Sequence, residues 1–179
     1  MQHEIDDDTT VMLRLKQGDR SAFDELYARF SKRVYNYVLR YVGSTYASED
    51  ITQEVFVKMY TAAKTYEPTA RFSTWLFTIA TNLSINEFHK NRRTEQLDDN
   101  VLRDDGLPVE EKVALHDMEQ GLLQSIDRLP GQQRAAILLR TYENMDYEEI
   151  ADVLHVSVKA VKSLLSRARG RLLDEYKTI

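Results

Sequence analysis

Apolar residues in this chain recur at three- and four-residue spacing, not in alternation, and that spacing places them on one stripe of an α-helix. Only 6 glycines and 3 prolines interrupt 179 residues. The expectation is an all-α chain. In SAFDELYARFSKRVYNYVLRYVG, one stripe carries Phe23, Leu26, Tyr27, Phe30, Val34, Tyr37, Val38 and Tyr41. Ser21 opens this helix and Gly43 stops it. A shorter helix precedes it, capped by Thr9 or Thr10 and ending at Gly18. A third runs from about Ser48 to Tyr66, with Ile51, Val55, Phe56, Met59, Tyr60 and Ala63 on one side. Glu67–Phe72 is a turn containing Pro68, and Ser73 is a good N-cap for TWLFTIATNLSINEFHK.

These four helices form one bundle domain over residues 9–93, after an acidic tail at 1–8. The pattern then breaks. Residues 94–118 hold Glu95, Asp98, Asp99, Asp104, Asp105, Glu110, Glu111 and Asp117 against Arg103 and Lys112, with Gly106 and Pro108. They read as an acidic flexible linker. Helical periodicity resumes at about Val109, running to Leu129, then Gln132–Tyr142, Tyr147–Leu154 and Val158–Tyr176. The last three, with the end of the one before, make a second, smaller helical domain over residues 119–179.

Composition narrows the class. Hydrophobic residues are 42%, enough for a packed core. There is no cysteine, which excludes disulfides and thiolate chemistry. MQHEIDDDTT is acidic where a signal peptide would be basic and then apolar, and no apolar run nears the roughly 20 residues that span a bilayer. A soluble cytoplasmic protein is expected.

The net charge is −5, yet VKAVKSLLSRARGRL (Val158–Leu172) carries Lys159, Lys162, Arg167, Arg169 and Arg171 and no acid. The turn His155-Val156-Ser157 joins it to Tyr147–Leu154, so the pair is a helix-turn-helix candidate with Ser157 as cap. Val158, Val161, Leu165, Ala168 and Leu172 form the stripe that faces a core. Lys159, Ser163, Ser166 and Arg167 lie opposite, with Lys162 and Arg169 on a flank. A solvated helix normally mixes both signs of charge. A small, polar, cationic face fits a major groove, where cations offset phosphates and short side chains let the helix approach base edges.

The first domain has its own candidate surface. Its last helix ends in HKNRR, with Lys90, Arg92 and Arg93, and Tyr66, Arg71, Phe72 and Trp75 surround the preceding turn. Aromatics beside cations can stack on unpaired bases, although Phe72 and Trp75 taken singly also suit a core. In SEDITQEVFVKMY, Asp50, Gln53 and Glu54 share one polar helix face. That face could bind a metal, serve acid–base chemistry, meet a partner protein or simply be solvated. His3, His89, His116 and His155 are too scattered to complete a ligand set, and no metal or cofactor is expected.

Five segments in this order resemble the extracytoplasmic-function (ECF) group of bacterial sigma-70-class sigma factors. They are AFDELYARF, SEDITQEVFVKMY, FSTWLFTIATNLSINEFHKNRR, LPGQQRAAILLR and YEEIADVLHVSVKAVKSLLSRAR, and the resemblance covers roughly Met12–Leu173. It implies two helical domains, region 2 and region 4, and a protein that directs core RNA polymerase to promoters. By this resemblance Asp50, Gln53, Glu54 and Val57 meet the clamp coiled coil of the largest core subunit. Tyr66, Arg71, Phe72, Trp75, Asn82, Asn86, His89, Lys90, Arg92 and Arg93 open and read the minus-10 element as single-stranded DNA. Ser157, Lys159, Ala160, Lys162, Ser163, Ser166, Arg167 and Arg169 enter the major groove of the minus-35 element. The linker threads the core, an anti-sigma factor is an expected partner, and no small-molecule substrate is implied.

The chain departs from the family pattern at four positions. Relatives often have aspartate at Asn86, arginine at His89, threonine at Ala160 and arginine at Leu164, so no promoter motif transfers from them. Leu164 lies about 70° from the centre of the apolar stripe, close enough to extend core packing. Two rivals explain less. A free-standing helix-turn-helix regulator leaves the first domain without a role. A metal-dependent nuclease built on Asp50 and Glu54 lacks a histidine or cysteine cluster, a glycine-rich phosphate loop and a nucleophile elbow.

Overall fold

The computed structural model describes the chain over residues 6–97 and 124–176, with side chains over 6–90 and 124–174. The helices are α1 (Asp7–Lys16), α2 (Ser21–Val42), α3 (Thr45–Ala62), α4 (Phe72–Leu97), α5 (Gly131–Tyr142), α6 (Tyr147–Leu154) and α7 (Val158–Tyr176). Residues 124–127 are also helical, a 3-10 turn (Ala63–Thr65) follows α3, and no strand occurs among the described residues.

Local chemistry sets the helix ends. Asp6, not Thr9 or Thr10, caps α1, its carboxylate accepting from the Thr9 N–H at 2.6 Å. Asp7 and Asp8 in the first turn and Arg14 and Lys16 in the last complement the helix dipole. Thr9 is buried instead, and its hydroxyl accepts from the Phe72 N–H at 3.3 Å, tying the start of α4 to α1. Helix α2 ends at Gly43, which takes the left-handed conformation (φ 74°) that closes a helix without a Cβ clash. Helix α3 starts three residues before the expected Ser48, because the Ser44 hydroxyl accepts from the Ala47 N–H at 3.3 Å. Helix α4 begins at Phe72, so Ser73 sits inside its first turn, and it continues through Leu97, past Thr94 where a linker was expected. The rest of the expected linker, 98–118, lies outside the described residues.

Helices α1–α4 pack as a bundle. Leu26, Phe30, Val34, Tyr37, Val38 and Tyr41 of α2 meet Val55, Phe56 and Met59 of α3 and Phe72, Leu76, Phe77 and Ala80 of α4 in its core. The Tyr37 hydroxyl shares a hydrogen bond with Thr81 Oγ1 at 2.8 Å, satisfying two buried polar groups. Burial pushes the pKa of Tyr37 and Tyr41 well above the ordinary tyrosine value, so both stay neutral. The expected stripes fail at Tyr27 and Tyr60, which are about half exposed. They lie at the exposed edge of the α2–α3 contact: Tyr60 meets Phe23 edge-on at 5.5 Å and Tyr27 meets Phe56 at 4.8 Å.

In the second domain α6 and α7 meet as the expected helix-turn-helix. Asp146 and Glu149 form a reciprocal capping box at the start of α6. His155 closes α6 in the left-handed region (φ 53°), and the Ser157 hydroxyl accepts from the Ala160 N–H at 3.2 Å to open α7. Val161, Leu164, Leu165 and Ala168 are buried, so Leu164 does extend the core. Leu165→Ala should destabilise this domain by about 3 kcal/mol, through lost burial and a cavity. Thermal unfolding followed by circular dichroism measures this.

The two domains touch. Helix α2 packs on α5, and α4 packs on α6. Every side chain from Gln133 to Leu139 is buried, although a helix resting on one body alone keeps an exposed face. The α6–α7 pair covers one side of α5, and α2 with α4 covers the other.

Candidate nucleic-acid interface

Helix α7 turns its apolar stripe onto α5 and α6, which leaves the opposite face to solvent. Lys159, Lys162, Ser163, Ser166, Arg167 and Arg169 are all exposed there, Ala160 is half-buried, and Ser157 is exposed at the cap. Among the described residues no carboxylate forms an ion pair with Lys159, Lys162, Arg167 or Arg169. The Arg167 Nε donates to the Ser163 carbonyl at 3.3 Å, laying the guanidinium along the helix. The face combines uncompensated positive charge with short side chains, which suits phosphate contact and close approach to bases.

Helix α4 offers a second surface. Its buried residues Phe72, Leu76, Ala80 and Ser84, then Phe77, Thr81 and Thr74, cover a wide arc, because α2 and α3 pack on one side and α6 on the other. The remaining arc holds Trp75, Asn82, Asn86 and His89 in one row. The last three are exposed and Trp75 is half-buried. Lys90 is exposed beside Glu87 at 3.6 Å, and Arg71 is exposed and paired with Glu149 at 3.4 Å. The side chains of Arg92 and Arg93 lie outside the described residues.

Two of the expected aromatic platforms are corrected. Phe72 is fully buried against Phe30 at 5.2 Å, and Tyr66 is 3% exposed, packed against Trp75 at 5.0 Å. In this arrangement neither ring can stack on a base; they are the core that supports Trp75. For Phe72 the signal was present, since Phe72, Leu76 and Ala80 share one stripe at four-residue steps. For Tyr66 the expected helix stops short: α3 ends at Ala62, a 3-10 turn follows to Thr65, and Tyr66 is extended, so helical spacing does not set its burial.

On α3, Asp50, Gln53, Glu54 and Val57 are all exposed along one face, Val57 at 61%. Glu54 pairs with Lys58 within the helix at 3.3 Å. Tyr60 joins this row and Tyr27 of α2 lies beside it, two exposed aromatics that sequence reasoning assigned to the core. No group of three or more histidine, cysteine or acidic residues that could hold a metal exists among the described residues.

The fold and these surfaces define a two-domain helix-turn-helix DNA-binding protein. Residues 26–94 match the family description "Sigma-70 region 2" and residues 119–172 match "Sigma-70, region 4". The sequence is 32% identical over 175 residues to the RNA polymerase sigma-H factor of Pseudomonas aeruginosa, covering 90% of each chain. It is 31% identical over 184 residues to the ECF RNA polymerase sigma-E factor of Haemophilus influenzae, covering 96% of each, and 28% identical to the ECF sigma factor SigW of Bacillus subtilis, covering 93% of this chain and 95% of that one. The fold is similar to that of CnrH, solved in complex with the cytosolic domain of CnrY (TM-score 0.77, 22% identity, 97% of this chain and 99% of that one). It is also similar to the sigma factor RpoE of Bartonella quintana, solved with the anti-sigma factor NepR (TM-score 0.67, 22% identity, 87% and 96%). The chain belongs to the ECF group of the sigma-70 family, and its function is that of a sigma factor in transcription initiation.

Among the described residues no helix is long and apolar enough to cross a membrane.

Proposed function

We propose that this chain binds core RNA polymerase through Asp50, Gln53, Glu54 and Val57 of α3, reads minus-35 duplex DNA with α7, and captures the melted minus-10 strand along the Trp75–Asn82–Asn86–His89 row of α4. The exposed face of α7 from Lys159 to Arg169, cationic and free of carboxylates, is the observation that carries this reading. The row on α4 adds a half-buried indole beside amides and an imidazole, groups that stack on and hydrogen-bond to unpaired bases. The chain supplies binding energy and base capture, performs no catalysis of its own, and works in the cytoplasm where polymerase is. An anti-sigma partner is part of the proposal, since the similar fold of RpoE was solved with the anti-sigma factor NepR and that of CnrH with the cytosolic domain of CnrY. A free-standing regulator would leave the exposed row on α3 unused.

The residues of α7 divide by position. Lys162 and Arg169, on the flank, contact phosphates, whereas Lys159, Ser163 and Arg167 project towards base edges. With holoenzyme, Lys162→Ala should weaken binding equally on all promoter variants and lower the salt slope by about one unit. Arg167→Ala should cost roughly 1–3 kcal/mol on the preferred sequence and relax specificity at one position. A promoter-variant binding series over a range of salt separates the two. Equal losses for both variants on every sequence would mean that α7 grips only the backbone.

A further inference from the structure

Two positions beside the cationic face of α7 break local backbone rules in opposite senses. His155 holds a left-handed backbone (φ 53°, ψ 45°), where glycine is at ease and an L side chain is strained. Gly170 stands inside α7, where every residue except proline favours the helix more. Each departure costs the folded chain stability, and neither is offset within it. The His155 imidazole is exposed and makes no hydrogen bond or ion pair among the described residues. A Cβ on Gly170 would meet no atom within 4 Å, so packing does not exclude a side chain there. The other described glycines have reasons in the fold: Gly18 and Gly43 take positive φ, and a Cβ on Gly131 would stand 3.0 Å from the Tyr41 hydroxyl.

What offsets these two departures lies outside the chain, and their places say what it is. Gly170 follows Val161 by nine residues, about 180° round the helix, so it faces away from the apolar stripe, in line with Lys159 and Ser163. Its neighbours Arg169 and Arg171 are exposed. His155 ends α6 two residues before Ser157, the cap of α7. In a helix-turn-helix the first helix crosses the sugar-phosphate backbone while the second enters the groove, which puts the end of α6 at a backbone. From Ser157 to Gly170 α7 runs about 20 Å, and a major groove is about 12 Å wide. A helix lying aslant in that groove meets a backbone near each end.

We infer that His155 and Gly170 bracket the promoter duplex. The His155 imidazole donates to a phosphate of one strand, and Gly170 lets the backbone of the other strand lie against α7 between Arg169 and Arg171. This rests on the reading of α7 as the helix that enters duplex DNA. An imidazole carries an N–H donor whether protonated or neutral, so the first contact does not depend on its charge. At Gly170 the missing side chain brings a phosphate nearer both guanidiniums, where attraction strengthens as distance falls. The bases between the two ends are left to Lys159, Ser163 and Arg167.

The test separates stability from binding. His155→Gly and Gly170→Ala each obey the local backbone rule, and each should raise the Tm of the full-length chain by about 2–4 °C. With reconstituted holoenzyme on a promoter fragment, each should nonetheless weaken binding roughly fivefold or more, and Gly170→Gln should weaken it further than Gly170→Ala. Single uncharged methylphosphonates in the minus-35 duplex locate the contacts. The parent should lose affinity at one phosphate on each strand. His155→Gly should lose little more at the first, Gly170→Ala little more at the second, and His155→Lys should restore sensitivity at the first. Variants that gain stability and bind as tightly as the parent, while Lys162→Ala binds more weakly, overturn the bracket and leave the reading of α7 intact. Both contacts mapping to one strand overturn it as well. If Lys162→Ala also binds as the parent does, α7 does not engage the duplex and both readings fall.

Discussion

Arg134→Ala should destabilise the folded chain by roughly 3–5 kcal/mol, the largest single-residue effect expected here. The guanidinium is 2% exposed. It donates to the carbonyls of Ile126 at 3.1 Å, Tyr41 at 2.5 Å and Asp127, and pairs with the Asp127 carboxylate at 3.2 Å. Its face lies over Phe88, 4.5 Å from the ring centroid. Truncation would strip buried carbonyls of their donor and leave a void between the domains at once. Arg134→Lys should recover only part of the loss, because one ammonium cannot replace a planar fork aimed at several acceptors. Urea unfolding monitored by circular dichroism gives both values. A midpoint within experimental error of the parent for Arg134→Ala would show that the cluster contributes nothing net.

Reversing charge on α3 should abolish assembly without touching the fold. Asp50 and Glu54 are exposed, and neither supports the bundle core. Glu54 contributes only an exposed ion pair with Lys58 within its own helix, which is worth a fraction of a kcal/mol. The double variant Asp50→Lys, Glu54→Lys should lose core polymerase by about a hundredfold or more, since like charges brought together at an interface cost several kcal/mol. Gel filtration with core polymerase reads the binding, and a circular dichroism spectrum matching the parent shows the fold is kept. Unchanged co-elution would refute the assignment of this face. The neighbouring Tyr60 and Tyr27 provide a graded control, because exposed aromatics beside a polar row are common anchors of an interface.

Where a rule is local, neighbours along the chain settle the outcome. Tyr147–Leu154 and Val158–Tyr176 have the boundaries expected from periodicity, because their ends depend on neighbours in the chain: Asp146 with Glu149, and Ser157 with Ala160. The outward face of α7 followed from helical spacing for the same reason, as did the burial of Leu164. The exposed row on α3 was legible too. Which second body covers a helix depends on contacts distant in the chain. Nothing local marks Gln133–Leu139 as buried on all sides, or Arg134 as a core residue, because a second covering comes from α2 and α4, some 90 residues away in the chain at the Tyr41 contact. Tyr66 and Phe72 went into the core, and Tyr27 and Tyr60 came out of it, for one reason. Periodicity finds the face a helix turns inward, but how far its neighbours extend over that face is set by where the helices meet in space. The cap of α1 shows the same limit at short range: Thr9 has the chemistry of a cap, yet packing drew it to Phe72, and Asp6 took its place.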